Sequence, residues 1–181
     1  DEGDPADVKA LILWDDFSVL PALTNLKMVV VLGAGVDHIF ESGVTIPNSV
    51  KVCRLVNPSI TSQMVEWVTL AVLVHNRSWD EYRSFQRQRL YTELTALHPS
   101  KRVIGILGLG MLGREAALTL KRIGYQVKGW SKSPKMIDQI ESFHGSDGLS
   151  AVLSEVDILI CMLPLTEQTR GILNSDLFSK T

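Results

Sequence analysis

The chain has little of what marks a disulfide scaffold, a metal centre or a nucleic-acid surface. Its two cysteines, Cys53 and Cys161, lie far apart in apolar, strand-like runs. That placement predicts buried free thiols in a reducing compartment rather than a disulfide. The four histidines stand apart from one another, with no Cys or His partner at ligand spacing, so no metal site is predicted. No Gly-x-Ser-x-Gly elbow is present for a serine nucleophile. Charge of one sign is lacking too. Eighteen Lys and Arg against 20 Asp and Glu leave a net charge of -2, which provides no basic field for nucleic acid. Apolar runs such as residues 28–32 and 157–163 fall far short of the ~20 residues that span a bilayer, so no membrane partner is expected. There is no internal repeat, low-complexity tract or secretory signal. A cytoplasmic protein is the expectation, although a start at Asp1 without Met leaves room for a targeting segment lost from ahead of it.

What the chain does have is apolar residues in alternating patterns. Hydrophobic residues make up 45% of the 181, enough for a sizeable core. Strands are predicted over residues 8–14, 26–32 and 50–55, with a helical turn over 20–26. A long helix is predicted from 59 to about 94, with an apolar face of Met64, Trp67, Val68, Ala71, Val72 and Val74. The polar tract from His98 to Arg102 marks a boundary. Beyond it the pattern predicts a strand over 103–107, a helix over 111–123 and a strand over 126–130. A helix or loop over 134–144, a short helix over 149–153 and a buried strand over 156–162 follow. Strands separated by helices imply βαβ units and parallel sheets, an α/β fold.

The most specific motif is Gly108-Leu-Gly110-Met-Leu-Gly113, set between the strand at 103–107 and the helix at 111–123. In that context it is the dinucleotide-binding fingerprint. Gly108 allows the tight turn, Gly110 lets the backbone approach a pyrophosphate, and Gly113 lets the helix pack on the strand. The helix N-terminus offers unpaired N–H groups and a positive dipole end to the phosphates. An NAD-type ribose calls for an acidic residue about twenty positions further on. Here no acid occurs between Glu115 and Asp138, and the tract reads Ser131-Lys132-Ser133-Pro134-Lys135. Ser131, Lys132 and Lys135 suit a 2′-phosphate, so NADP is predicted over NAD. Downstream, Leu163 and Pro164 would wall the nucleotide and Thr169 would cap the next helix.

The loop Gly33-Ala34-Gly35-Val36 ends the second predicted strand and exposes consecutive backbone N–H groups able to hold a small anion. From the residues alone, a plain tight turn is the favoured explanation. The neighbouring Asp37 and His38 receive no catalytic role.

Taken in order, the loop at 33–37, Ser62-Gln-Met-Val-Glu-Trp67, the fingerprint, Trp130-Ser-Lys-Ser-Pro-Lys135 and the stretch 157–174 resemble the D-isomer-specific 2-hydroxyacid dehydrogenases. The likeness is nearest to the glyoxylate/hydroxypyruvate reductase branch. The resemblance implies a Rossmann-type parallel-sheet nucleotide domain plus part of a flavodoxin-like substrate domain. Residues 1–98 would be the partial substrate domain with its linking helix, and residues 99–181 the N-terminal part of the nucleotide domain. It implies a small 2-oxo or 2-hydroxy acid as substrate, bound in a cleft between the domains by Ala34, Gly35 and Val36, with Trp14 nearby. NADP would lie on Gly108, Gly110, Met111, Leu112 and Gly113, with Met64 approaching the nicotinamide, and the whole protein would be a homodimer. The family's Arg, Glu and His would fall beyond Thr181, so the chain is expected to be partial and no residue in it is assigned as catalytic. Some relatives on this scaffold are nucleotide-sensing, corepressor-like proteins, which is the alternative class; Ser131 in place of an acid argues for the reductases.

Overall fold

The computed structural model describes residues 3–179. It divides into two compact units, one running to Ile60 and including Pro164–Gln168, the other from Thr61 to Leu163 and from Thr169 onward. In the first unit β1 (Ala10–Leu13), β2 (Met28–Val31) and β3 (Lys51–Arg54) form a parallel sheet in the order β1-β2-β3. β-branched and leucine residues make up most of these strands. Val29 and Val31 are fully buried, packed with Phe17, Leu20, Leu26 and Ile39. The connection before β2 contains only a 3₁₀ turn, Leu20–Ala22, and the one after it a single short helix, α1 (Asp37–Glu41).

The second unit is wound on both faces. Its four parallel strands are β4 (Val103–Leu107), β5 (Gln126–Ser131), β6 (Glu141–His144) and β7 (Ile158–Cys161), in the order β6-β5-β4-β7. After α4 (Met111–Ile123) the chain continues outward to β5 and β6, then crosses back through α5 (Gly145–Leu153) to β7 on the other side of β4. β4 and β7 therefore flank a topological switch point, where ligands of open α/β sheets bind. One face of the sheet packs Ile104, Ile106 and Val127 against Ala116, Ala117 and Leu120 of α4 and Val68 and Val72 of α2 (Pro58–Asn76). On the other face Leu107 and Trp130 pack against Val152 and Leu153 of α5 and Leu177 of α6 (Ser175–Phe178). The alternation of Ile106 and Leu107 between these clusters is the period of two that a strand buried on both sides requires.

Several expectations need correcting. The helix over 59–94 is broken into α2 and α3 (Trp79–Gln88) at Ser78, which adopts a left-handed φ of 49°, and residues 90–98 are not helical. Asn76, buried at the end of α2, donates to the Leu97 carbonyl and so draws the returning chain against the helix. By packing, most of α2 belongs to the second unit rather than with residues 1–98. Its buried positions are Thr61, Val68, Val72 and Asn76, while Trp67 is 65% exposed. A strand, β6, occupies the end of the stretch expected to be helix or loop, because residues 141–144 pair in parallel with β5. The thiols are free as expected, but both are exposed, since β3 and β7 are the edge strands of their sheets among the described residues. For the same reason β7 is half-buried rather than a buried strand.

Candidate cofactor crevice and substrate loop

The turn after β4 is held by its neighbours on both sides. The Gly108 N–H donates to the Trp130 carbonyl at 2.7 Å, and the Met162 N–H donates to the Leu107 carbonyl at 2.7 Å. Gly108 has a φ of 100°, and a Cβ there would come within 2.8 Å of the Met162 carbonyl. A Cβ on Gly113 would fall on the Gly108 carbonyl oxygen. Both glycines are thus required by the protein itself. Gly110 is different. It precedes α4 with an ordinary φ of -71°, and an added Cβ would meet nothing within 4 Å. Nothing among the described residues calls for glycine at this position, which opens on the space before the N-terminus of α4. Met111 is exposed at the first turn, and Leu112 is half-buried.

Leu109, between the first two glycines, has a role that the sequence pattern did not assign. It is 2% exposed, and a Cβ on Gly129 of β5 would come within 2.5 Å of its side chain. The leucine locks the turn onto the neighbouring strand. A glycine two residues before Ser131 was the available signal.

At the end of β5 the tract Ser131–Lys135 lies as predicted, but its first member is turned inward. Ser131 is 5% exposed and its Oγ donates to the Ser133 carbonyl at 2.8 Å, shaping the loop that carries the exposed Lys132 and Lys135. The strand itself is anchored by Lys128. Burial opposes its charge, yet the bond to Glu155 at 2.7 Å and the charge of Glu141 prevail and hold its pKa above the ordinary lysine value. Across the switch point Leu163 is half-buried against the cluster below Leu107 and Trp130, whereas Pro164 is exposed and groups with the first unit. Thr169 caps no helix: α6 is capped by Asn174, whose side chain accepts from the Leu177 N–H. Met64 is half-buried on α2. Among the described residues no group of three His, Cys, Asp or Glu is placed to hold a metal, and no helix is long and apolar enough to cross a membrane.

In the first unit the loop at residues 33–36 follows the middle strand, with Trp14 and Arg54 just past or at the carboxyl ends of the strands on either side. Trp14 is 61% exposed and its ring lies 3.8 Å from where a Cβ on Gly33 would be. Arg54 donates through Nη1 to the Ala34 carbonyl at 2.6 Å. The Asp37 carboxylate lies against Gly35, so that a Cβ there would come within 2.5 Å of its Oδ1. His38 stacks at a tilt on Phe17, 5.6 Å between ring centroids. The fold brings together the predicted residues Trp14, Ala34, Gly35 and Val36, and adds Arg54.

Known proteins share this fold. A glyoxylate/hydroxypyruvate reductase A from Yersinia enterocolitica is 41% identical over 180 residues, covering 97% of this chain and 57% of the relative. A crystal structure of an NADPH-dependent glyoxylate/hydroxypyruvate reductase from Sinorhizobium meliloti, in complex with NADP and sulfate, superposes with a TM-score of 0.93 at 34% identity over 99% of this chain. A 2-hydroxyacid dehydrogenase from Rhizobium etli, described as probable and bound to NADP, HEPES and L(+)-tartaric acid, gives 0.91 at 37% identity over 99% of this chain. The chain spans 56% of each of these two structures, little more than half the length of the relatives it matches. The profile of the D-isomer specific 2-hydroxyacid dehydrogenase NAD binding domain matches residues 69–181. With more than half of its length so matched, the chain belongs to the D-isomer specific 2-hydroxyacid dehydrogenase family.

Proposed function

We propose that the protein carrying this chain reduces a small 2-oxo acid, of the glyoxylate or hydroxypyruvate kind, with NADPH. The observation that carries the proposal is Gly110: a glycine that no contact among the described residues requires, in open space at the N-terminus of α4 beside the switch point. That position needs a glycine if a pyrophosphate approaches the backbone closely. The residues present fit such a cofactor. The turn from Gly108 to Gly113, with Met111 and Leu112, would hold the pyrophosphate. Lys132 and Lys135 would pair with the 2′-phosphate, and Ser131 would shape their loop. Leu163 and Pro164 would flank the nucleotide, with Met64 towards the nicotinamide.

The cofactor, when bound, supplies the hydride for the carbonyl. The chain's own residues bind and orient. N–H groups of Ala34, Gly35 and Val36 would take the carboxylate of the 2-oxo acid, and Trp14 would cover an apolar side of it. No proton donor is assigned within this chain. The names of the relatives, reductases of glyoxylate and hydroxypyruvate, support the same substrate class.

The test compares NADPH with NADH in steady-state reduction of glyoxylate by the full protein. NADPH is expected to be strongly preferred. Replacing Lys132 and Lys135 by Glu should weaken NADPH by about 10- to 100-fold, as loss of charge-assisted bonds does, and leave NADH nearly unchanged. Equal use of both cofactors by the unaltered protein overturns the NADPH assignment.

A further inference from the structure

Arg54 is an exposed cation at the end of an edge strand, with no ion pair among the described residues. It reaches the loop at 33–36 through tertiary structure alone. β2 and β3 pair with Val31 opposite Arg54, and this register brings the guanidinium to the Ala34 carbonyl, 20 residues away in sequence. The bond engages one of the five N–H donors of the side chain.

A trans peptide is planar, with its C=O and N–H pointing in opposite directions. A guanidinium fixed on the Ala34 carbonyl therefore sets the direction of the Gly35 N–H. Glycines on both sides of Ala34 leave this segment unusually free to rotate, so an external restraint has much to fix. Donation by a cation also polarises the peptide, which makes the opposite N–H a stronger donor. The Asp37 carboxylate against Gly35 puts a negative charge beside the same peptide, and Arg54 supplies the balancing positive one.

We propose that Arg54 is a positioning residue for the 2-oxo acid: it clamps the Ala34–Gly35 peptide so that the Gly35 N–H is presented to the substrate carboxylate. The proposal rests on the substrate role given above to the loop. It is tested in the full protein with Arg54→Ala and Arg54→Lys, first by backbone 15N relaxation of the Gly35 amide without substrate, then by steady-state kinetics. Arg54→Ala should make the Gly35 amide more mobile and raise the KM for glyoxylate about tenfold, the effect of losing a bond from a charged donor. The KM for NADPH should stay within about twofold. Arg54→Lys, which keeps a donor for the carbonyl, should restore the order at Gly35 and most of the KM. Unchanged relaxation of Gly35 in Arg54→Ala overturns the clamp. Greater mobility with an unchanged KM for glyoxylate overturns the positioning role. Failure of the unaltered protein to use any 2-oxo acid would instead sink the functional proposal, and it is told apart because the relaxation measurement needs no substrate.

Discussion

Two glycine loops, one in each unit, follow the same local plan and are held by different physics. Each leaves the end of a parallel strand that has neighbours on both sides and leads into a helix. The turn at Gly108–Gly113 is fixed by backbone packed on backbone, by a positive φ and by a buried leucine, and it feeds the 13-residue helix α4. The loop at 33–36 has neither glycine at positive φ, feeds the 5-residue α1 and is tied by polar side chains, Arg54 and Asp37. Backbone contacts cannot yield without moving elements, whereas exposed side chains rotate. The first loop is rigid by steric necessity, and the second is adjustable. That difference suits the roles proposed for them, a cradle for an invariant pyrophosphate and a seat for a variable small acid.

Substitutions with alanine separate the two cases. Gly113→Ala should have the largest effect, because its Cβ has only the Gly108 carbonyl to displace. A loss of about 3 kcal/mol or more, near 10 °C in Tm, is expected in thermal unfolding. A change under 2 °C would break the claim of steric necessity. Gly110→Ala should leave stability within about 1 kcal/mol yet weaken NADPH at least about tenfold in a fluorescence titration. Unaltered NADPH binding would mean that this glycine has no ligand to admit. Gly35→Ala should cost about 1 kcal/mol or less, since the obstructing Asp37 carboxylate is the end of a side chain that can swing aside. Adding Asp37→Ala should return most of that loss. If the double variant is no more stable than the single one, the loop is held by something other than these side chains.

Much of the second unit was legible in the sequence because its signals are local. The helix at 111–123 is bracketed by Gly110 and Gly124, and the strand before it is a run of apolar residues, so those elements emerge where the pattern puts them. β6 was not legible. Four residues at a sheet edge become a strand only because β5 is there to pair with them. The break at Ser78 was hidden for a similar reason, since helical periodicity continues through it while Asn76 bonds to a carbonyl 21 residues later. At the site, Ser131 had the right chemistry on paper, but its hydroxyl is directed at Ser133, and no one-dimensional pattern contains that direction.

By itself the sequence determined the parallel α/β class and the position of the dinucleotide turn. It also determined the absence of a carboxylate at the end of β5, because periodicity, glycine spacing and charge order are properties of neighbours along the chain. Tertiary structure decided that Gly108 and Gly113 are required by the packing of the turn itself, whereas Gly110 stands in open space. It decided that Leu109 closes onto Gly129, and that Arg54 reaches Ala34. These depend on strand order and register, which bring distant residues within contact range and are set by the packing of the whole sheet.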